Sequence, residues 1–82
     1  MRTNMNHEEE IKYLKALSSR LKKIRKEKGL TQADCGVDER TIRRIEGNAE
    51  NYNPSFLTLI EISKGMGIEL SELIDFSKEK HE

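Results

Sequence analysis

Four charged side chains between residues 39 and 44 can form hydrogen bonds of the kind that read DNA bases: Glu39, Arg40, Arg43 and Arg44. An arginine guanidinium can donate two parallel hydrogen bonds to guanine, and a glutamate can accept one from cytosine N4. At 100° per residue, all four lie on the side of a helix opposite Ile42 and Ile45. The alternative is a solvated, salt-bridged helix surface, which is the usual interpretation of a run of charges.

No other group of residues has the spacing of a reactive site. The single cysteine, Cys35, excludes an internal disulfide, and no cysteine or histidine cluster has metal-ligand spacing. We interpret Cys35 as a small buried apolar residue. The sequence also lacks a paired-carboxylate site, a Ser/His arrangement and a glycine-rich phosphate loop. We therefore expect no enzyme activity, no cofactor and no metal.

A long helix precedes the charged cluster. Its apolar stripe recurs at spacings of three and four residues: Ile11, Leu14, Leu17, Leu21 and Ile24. The acidic residues that follow His7 favour a helix start there, and Lys28 with Gly29 favours its end.

The cluster itself lies in the second of two short helices. Thr31 can cap barely one helical turn before Gly36, and Asp38 can cap a helix over residues 39–46. Two short helices joined by a turn that contains glycine are typical of a helix-turn-helix arrangement.

Two more helices are expected towards the C-terminus. Pro54 and Ser55 can begin one of them. Its apolar side would contain Phe56, Leu59 and Ile60, and Ile62 and Ser63 can extend it. Gly65 and Gly67 break that pattern, and Ser71 can cap a last short helix. The sequence contains no strand pattern, so we predict an all-α fold of five helices.

Charge is unevenly distributed along a chain whose formal net charge is zero. Residues 20–28 contain six basic side chains and one acid, whereas acids gather at residues 8–10 and 61–82. A basic face is therefore compatible with zero net charge. Four lysines can supply non-specific attraction to phosphates or simply form a solvated surface: Lys22, Lys23, Lys26 and Lys28.

Four stretches of the chain resemble the phage-repressor-like (Xre/Cro-type) helix-turn-helix DNA-binding domain family. They are LKKIRKEKGLTQ at residues 21–32, GVDERTIRRIEG at 36–47, NPSFLTL at 53–59 and GIELSEL at 67–73. The resemblance covers residues 17–74 and implies a compact, all-α lambda-repressor-like fold of five helices. In this chain, we expect the first helix of that fold to be extended and the second helix to be shortened.

The resemblance also implies which residues contact DNA. The helix at residues 39–46 would enter the major groove, and the implied DNA contacts are Gln32, Glu39, Arg40, Thr41, Arg43 and Arg44. Gln32 would anchor a phosphate, with a helix-capping role as the alternative. Arg25 and Glu46 match a structural ion pair that orients the reading helix.

The second helix departs from the family pattern. Between Gln32 and Gly36 the family usually has about one more helical turn, and Cys35 stands where a leucine is usual. Either this helix is a one-turn stub or the sequence lacks a segment. The loop at residues 48–53 is also about two residues longer than usual, and its Tyr52 could contact a partner or stack on the fold.

The resemblance implies a small transcriptional regulator that binds double-stranded DNA, since the family commonly reads two-fold operators as dimers. We expect a homodimer formed through the C-terminal helix (Leu70, Leu73, Ile74 and Phe76), through the N-terminal extension of the first helix (Ile11, Tyr13 and Leu14), or through both. The alternative is a protein-interaction module or an antitoxin with a small protein partner. The sequence leaves open which operator is bound and whether the protein represses or activates transcription. It also leaves open the biological context, which could be restriction–modification, phage, plasmid or toxin–antitoxin.

The expected organisation is one domain over residues 1–82, with flexible ends at 1–7 and 77–82. The chain has no signal peptide and no long apolar run. We therefore expect a soluble cytoplasmic protein with no membrane association.

Overall fold

The computed structural model describes residues 5–78, and these residues form only helices and turns. The four α-helices are α1 (His7–Glu27), α2 (Glu39–Gly47), α3 (Phe56–Met66) and α4 (Leu70–Leu73). Three short 3₁₀ turns lie between or after them, at Gln32–Asp34, Ala49–Asn51 and Phe76–Lys78. The all-α prediction is therefore confirmed for the described residues. The count of five helices is not confirmed, because the second predicted helix is a 3₁₀ turn.

The long first helix begins with a reciprocal cap. The Asn6 side chain accepts a hydrogen bond from the Glu9 backbone N–H at 2.9 Å, and the Asn6 N–H donates to the Glu9 carboxylate at 3.3 Å. Of the predicted flexible ends, residues 1–4 and 79–82 lie outside the described part of the chain. Asn6 is the N-cap of α1, and the helix begins at the next residue, His7.

One side of α1 packs against the other helices and contributes three residues to the hydrophobic core. Leu17, Leu21 and Ile24 follow the predicted stripe and are buried. The other buried apolar members are Cys35, Ile42, Ile45, Ile62, Met66 and Leu73. The core thus collects side chains from every α-helix, which fixes α2 against α1.

The segment after the first 3₁₀ turn packs directly on the backbone of α3. A Cβ atom on Gly65 would overlap the Gly36 Cα and backbone nitrogen, and one on Gly36 would overlap the Glu61 carbonyl oxygen. Gly36 also has a φ of +87°, which favours glycine. Two glycines therefore permit the segment after the 3₁₀ turn to lie directly against the backbone of α3.

The apolar side predicted for α3 is partly wrong. Phe56 is 64% exposed and the neighbouring Leu57 is 68% exposed. Leu59 and Ile60 are half-buried, and the predicted Ile62 and Ser63 are buried together with Met66. Only the first turn of α3 departs from the prediction, because it projects beyond the core. Gly65 lies within the helix rather than ending it, since its missing side chain admits Gly36.

Candidate nucleic-acid interface

An aspartate cap and two buried isoleucines position the charged helix α2. The Asp38 carboxylate accepts a hydrogen bond from the Thr41 backbone N–H at 2.9 Å. Ile42 and Ile45 are buried in the core, so the opposite face of α2 meets solvent. Hydrogen bonds from the side chain and backbone of Thr41 hold the pKa of Asp38 below its ordinary value, and the nearby charges of Arg40 and Arg44 lower it further.

The candidate base-reading residues fall into two electrostatic classes. Arg43 donates to the Glu39 carboxylate at 2.6 Å, and both side chains are more than half exposed. Arg40 and Arg44 are exposed, and neither forms an ion pair with a carboxylate among residues 5–78. Their positive charge therefore remains available to an anionic partner.

Arg44 contacts an aromatic ring instead of a carboxylate. Its guanidinium carbon lies over the Tyr52 ring, 4.5 Å from the ring centroid. Tyr52 is half-buried and packs against the hydrophobic core. The side chain of Tyr52 thus stacks on the surface of the fold, one of the two roles that its sequence position permitted.

A buried ion pair connects the end of α2 to α1. The Arg25 Nε and Nη2 groups donate to the two Glu46 carboxylate oxygens at 2.7 and 3.0 Å. The side chain of Glu46 is only 2% exposed and that of Arg25 only 12% exposed. The hydrogen bond to Glu46 raises the pKa of Arg25 above its ordinary value, so the guanidinium keeps its positive charge.

Two further contacts complete this junction. Gln32 donates its side-chain N–H to the same Glu46 carboxylate at 3.1 Å. The Ser18 hydroxyl donates to the Glu46 backbone carbonyl at 3.0 Å. Glu46 therefore joins the 3₁₀ turn at Gln32–Asp34, α1 and α2 at one buried point.

The family model for helix-turn-helix domains matches residues 21–73, about two thirds of the chain. The chain belongs to the helix-turn-helix family. The match is to the Xre or lambda-repressor-like type, a family of DNA-binding transcription regulators. No curated protein and no solved structure matches the chain.

Within this helix-turn-helix domain, the turn that precedes α2 is short but internally fixed. The Thr31 hydroxyl and N–H both donate to the Asp34 carboxylate, at 2.7 and 3.1 Å. These hydrogen bonds lower the pKa of Asp34. Cys35 follows and is fully buried, and burial raises the pKa of its thiol. Thr31 acts here as a cap for the turn.

The remaining predicted contact residues lie around α2. Thr41 is half-buried on the side of α2 that faces α3, whereas Glu39 lies near the 3₁₀ turn that contains Gln32. The lysines of α1 and its C-terminal end are exposed: Lys22, Lys23, Lys26 and Lys28. Gln32 is half-buried, and its side-chain amide donates to Glu46.

Two hydrogen bonds that hold the elements around α2 and α4 in place were not predicted from the sequence. The bond from Gln32 to Glu46 joins residues 14 apart, and no local pattern signals it. Arg20 is only 4% exposed, and its Nε donates to the Glu72 carbonyl of α4 at 3.0 Å. Its position three residues after Leu17 and four before Ile24 places it on the buried stripe, a signal that could have identified it.

Residues 5–78 contain no group of three or more His, Cys, Asp or Glu side chains that could hold a metal ion. In the same range, no helix has both the length and the apolar character needed to cross a membrane.

Proposed function

We propose that this chain is a sequence-specific transcriptional regulator that inserts residues 39–46 of α2 into the major groove of a two-fold DNA operator. The observation that carries the proposal is the exposed face of α2. There Arg40 and Arg44 extend away from the core without an ion-pair partner among the described residues. Arginines that are not bound to a carboxylate can donate bidentate hydrogen bonds to guanine.

Glu39 and Arg43 would act as a unit in this proposal. An unpaired glutamate that faces DNA is repelled by phosphates, but the contact with Arg43 compensates the charge of Glu39. On binding, Arg43 could contact a base or a phosphate while Glu39 accepts from cytosine N4. Thr41 would contribute a lesser contact from the flank of the helix.

Phosphate contacts would come from groups outside the reading face. Gln32 lies at the first residue of its 3₁₀ turn, but its side-chain amide donates to Glu46. This bond favours a structural role, so phosphate binding by Gln32 would require the amide to turn outward. The exposed lysines near the end of α1 would add sequence-independent attraction that weakens with salt.

A homodimer would present two reading helices to the operator, because one small module contacts too few bases for useful specificity. An aromatic and aliphatic patch at the junction of α1 and the C-terminal segment is the candidate interface. Tyr13 and Phe76 have ring centroids 6.5 Å apart, and Tyr13 and Ile74 are exposed. Leu70 is half-buried, and Leu73 belongs to the core, so neither side chain is a strong candidate for this interface.

A second candidate function is protein interaction without DNA reading, as in an antitoxin bound to a small protein partner. The observation that favours it is the reduction of the helix before α2 to the 3₁₀ turn Gln32–Asp34. A changed positioning element alters how a reading helix meets DNA. The junction at Glu46 argues the other way, because it still holds α2 firmly against α1.

Fluorescence anisotropy distinguishes the two functions. The purified protein is titrated into the DNA upstream of its own coding sequence and into a scrambled duplex, at several salt concentrations. Tight binding to the upstream duplex alone, near physiological salt, supports the regulator. Equal weak binding that disappears with salt reflects electrostatics only. No binding at low salt would exclude the regulator and redirect the search to a protein that co-purifies.

A further inference from the structure

The contact between Arg44 and Tyr52 has a geometry suited to positioning an arginine. Tyr52 follows the 3₁₀ turn Ala49–Asn51, and its backbone is extended. Its ring is anchored because it packs against the hydrophobic core. The Tyr52 ring also contacts Arg44, whose guanidinium carbon lies over the ring at 4.5 Å from its centroid. A ring fixed by the core thus supports a side chain that extends into solvent.

Stacking leaves the hydrogen-bonding edge of a guanidinium accessible. The five N–H groups lie in the plane of the guanidinium, and the contact with the ring is made at the guanidinium carbon, which lies over the Tyr52 ring. Among residues 5–78, Arg44 donates no hydrogen bond to a protein group. Arg43 differs, because its Nη2 group is already bound to the Glu39 carboxylate. Arg44 is therefore restrained in direction while its donors remain free.

We infer that Tyr52 is a specificity-determining residue, which positions Arg44 for a bidentate contact with guanine. A free arginine loses side-chain freedom when it binds a base, and a stacked one has lost part of it beforehand. Guanine is the base whose major-groove edge offers two acceptors, N7 and O6, in the spacing of the guanidinium. This inference rests on the proposed function, in which α2 reads bases.

The test is a double-mutant cycle in DNA binding. The duplex is one enriched from a random pool by the wild-type protein, together with versions in which each guanine is replaced by adenine. Wild type, Tyr52→Leu, Arg44→Ala and the double variant are compared by anisotropy. Tyr52→Phe serves as the matched control, because it retains the ring face and removes only the hydroxyl.

Tyr52→Leu should weaken discrimination at one guanine per half-site by about tenfold. Arg44→Ala should abolish discrimination at that same position, and Tyr52→Leu should then have no further effect. Tyr52→Phe should behave as wild type. The inference would be overturned if Tyr52→Leu reduced discrimination equally with and without Arg44. It would also be overturned if Arg44→Ala weakened binding to all duplexes equally, because Arg44 would then contact a phosphate.

A second measurement needs no DNA and guards against loss of folding. The side-chain protons of Arg44 in the free wild-type protein should show an upfield NMR ring-current shift. The absence of this shift would contradict the contact between Arg44 and the Tyr52 ring.

If Tyr52→Leu does not fold, Arg44→Lys tests directly whether the guanidinium group reads guanine. It keeps the charge and should lose the guanine preference, and an unchanged preference would overturn the inference. A wild-type protein that enriches no sequence would reject the proposed function itself, whereas additive losses reject only the role of Tyr52.

Discussion

At the scale of single residues, the orientation of α2 depends on a carboxylate buried at its C-terminal end. Glu46 accepts hydrogen bonds from Arg25 and Gln32, and its side chain is almost fully buried. The family resemblance identified the pair of Arg25 and Glu46 as an expectation. The contribution of Gln32 could not be predicted, because it depends on the three-dimensional approach of the 3₁₀ turn to α2.

Glu46→Ala should lower the free energy of unfolding by about 3 kcal/mol, because Arg25 would lose its partner in a largely buried position. Glu50→Ala is the matched control. Glu50 forms an exposed ion pair with Lys15 at 3.1 Å, and its loss should cost less than about 1 kcal/mol. Urea denaturation followed by circular dichroism measures both. If both variants lowered the free energy of unfolding by the same small amount, the ion pair of Arg25 and Glu46 would not be what holds α2 against α1.

At the scale of helices, the hydrophobic stripe of α1 and the Asp38 cap of α2 could be predicted from local patterns, whereas the Asn6 cap of α1 was not predicted. The path of residues 32–37 could not, because it depends on a contact between distant backbones. The apolar pattern predicts a break at Gly65, whereas this residue lies inside α3 against Gly36. Phe56 fitted a helical stripe but is exposed, since periodicity does not tell how far a helix projects beyond its core.

Gly65→Ala should destabilise the protein by about 1–3 kcal/mol or more, because the added methyl group would overlap the backbone at Gly36. Gly47→Ala is the control: it is also a helical glycine, but a Cβ there meets no atom within 4 Å. This control should be neutral or stabilise by up to about 1 kcal/mol. Thermal unfolding compares the two variants. A harmless Gly65→Ala would show that α3 and the turn are not in close contact.

At the scale of the whole molecule, a formal charge of zero requires that DNA attraction come from the arrangement of charge rather than its sum. Uncompensated arginines on α2 and exposed lysines near the end of α1 provide that arrangement. One domain presents a single copy of α2, the proposed reading helix. A two-fold operator would therefore require a second copy of the chain.

The proposed homodimer should form through the patch of Tyr13, Ile74 and Phe76. Ile74→Glu should reduce the molar mass measured by light scattering from that of two chains to that of one, because it buries a charge in an apolar interface. Leu57→Glu, on the exposed first turn of α3, should remain dimeric. A wild-type protein that is monomeric when bound to its operator would contradict the two-fold mechanism.

The central claim is that the exposed face of α2 reads bases, and the most direct test is selection from a pool of random duplexes. Wild type, Arg40→Ala and Lys26→Ala are each used for selection, and the enriched sequences are compared. Wild type should enrich a two-fold sequence, and Arg40→Ala should lose the preference for guanine at one position in each half-site. Lys26→Ala should bind more weakly with the same preferences. An unchanged preference in Arg40→Ala, or no enrichment by the wild-type protein, would contradict base reading by α2.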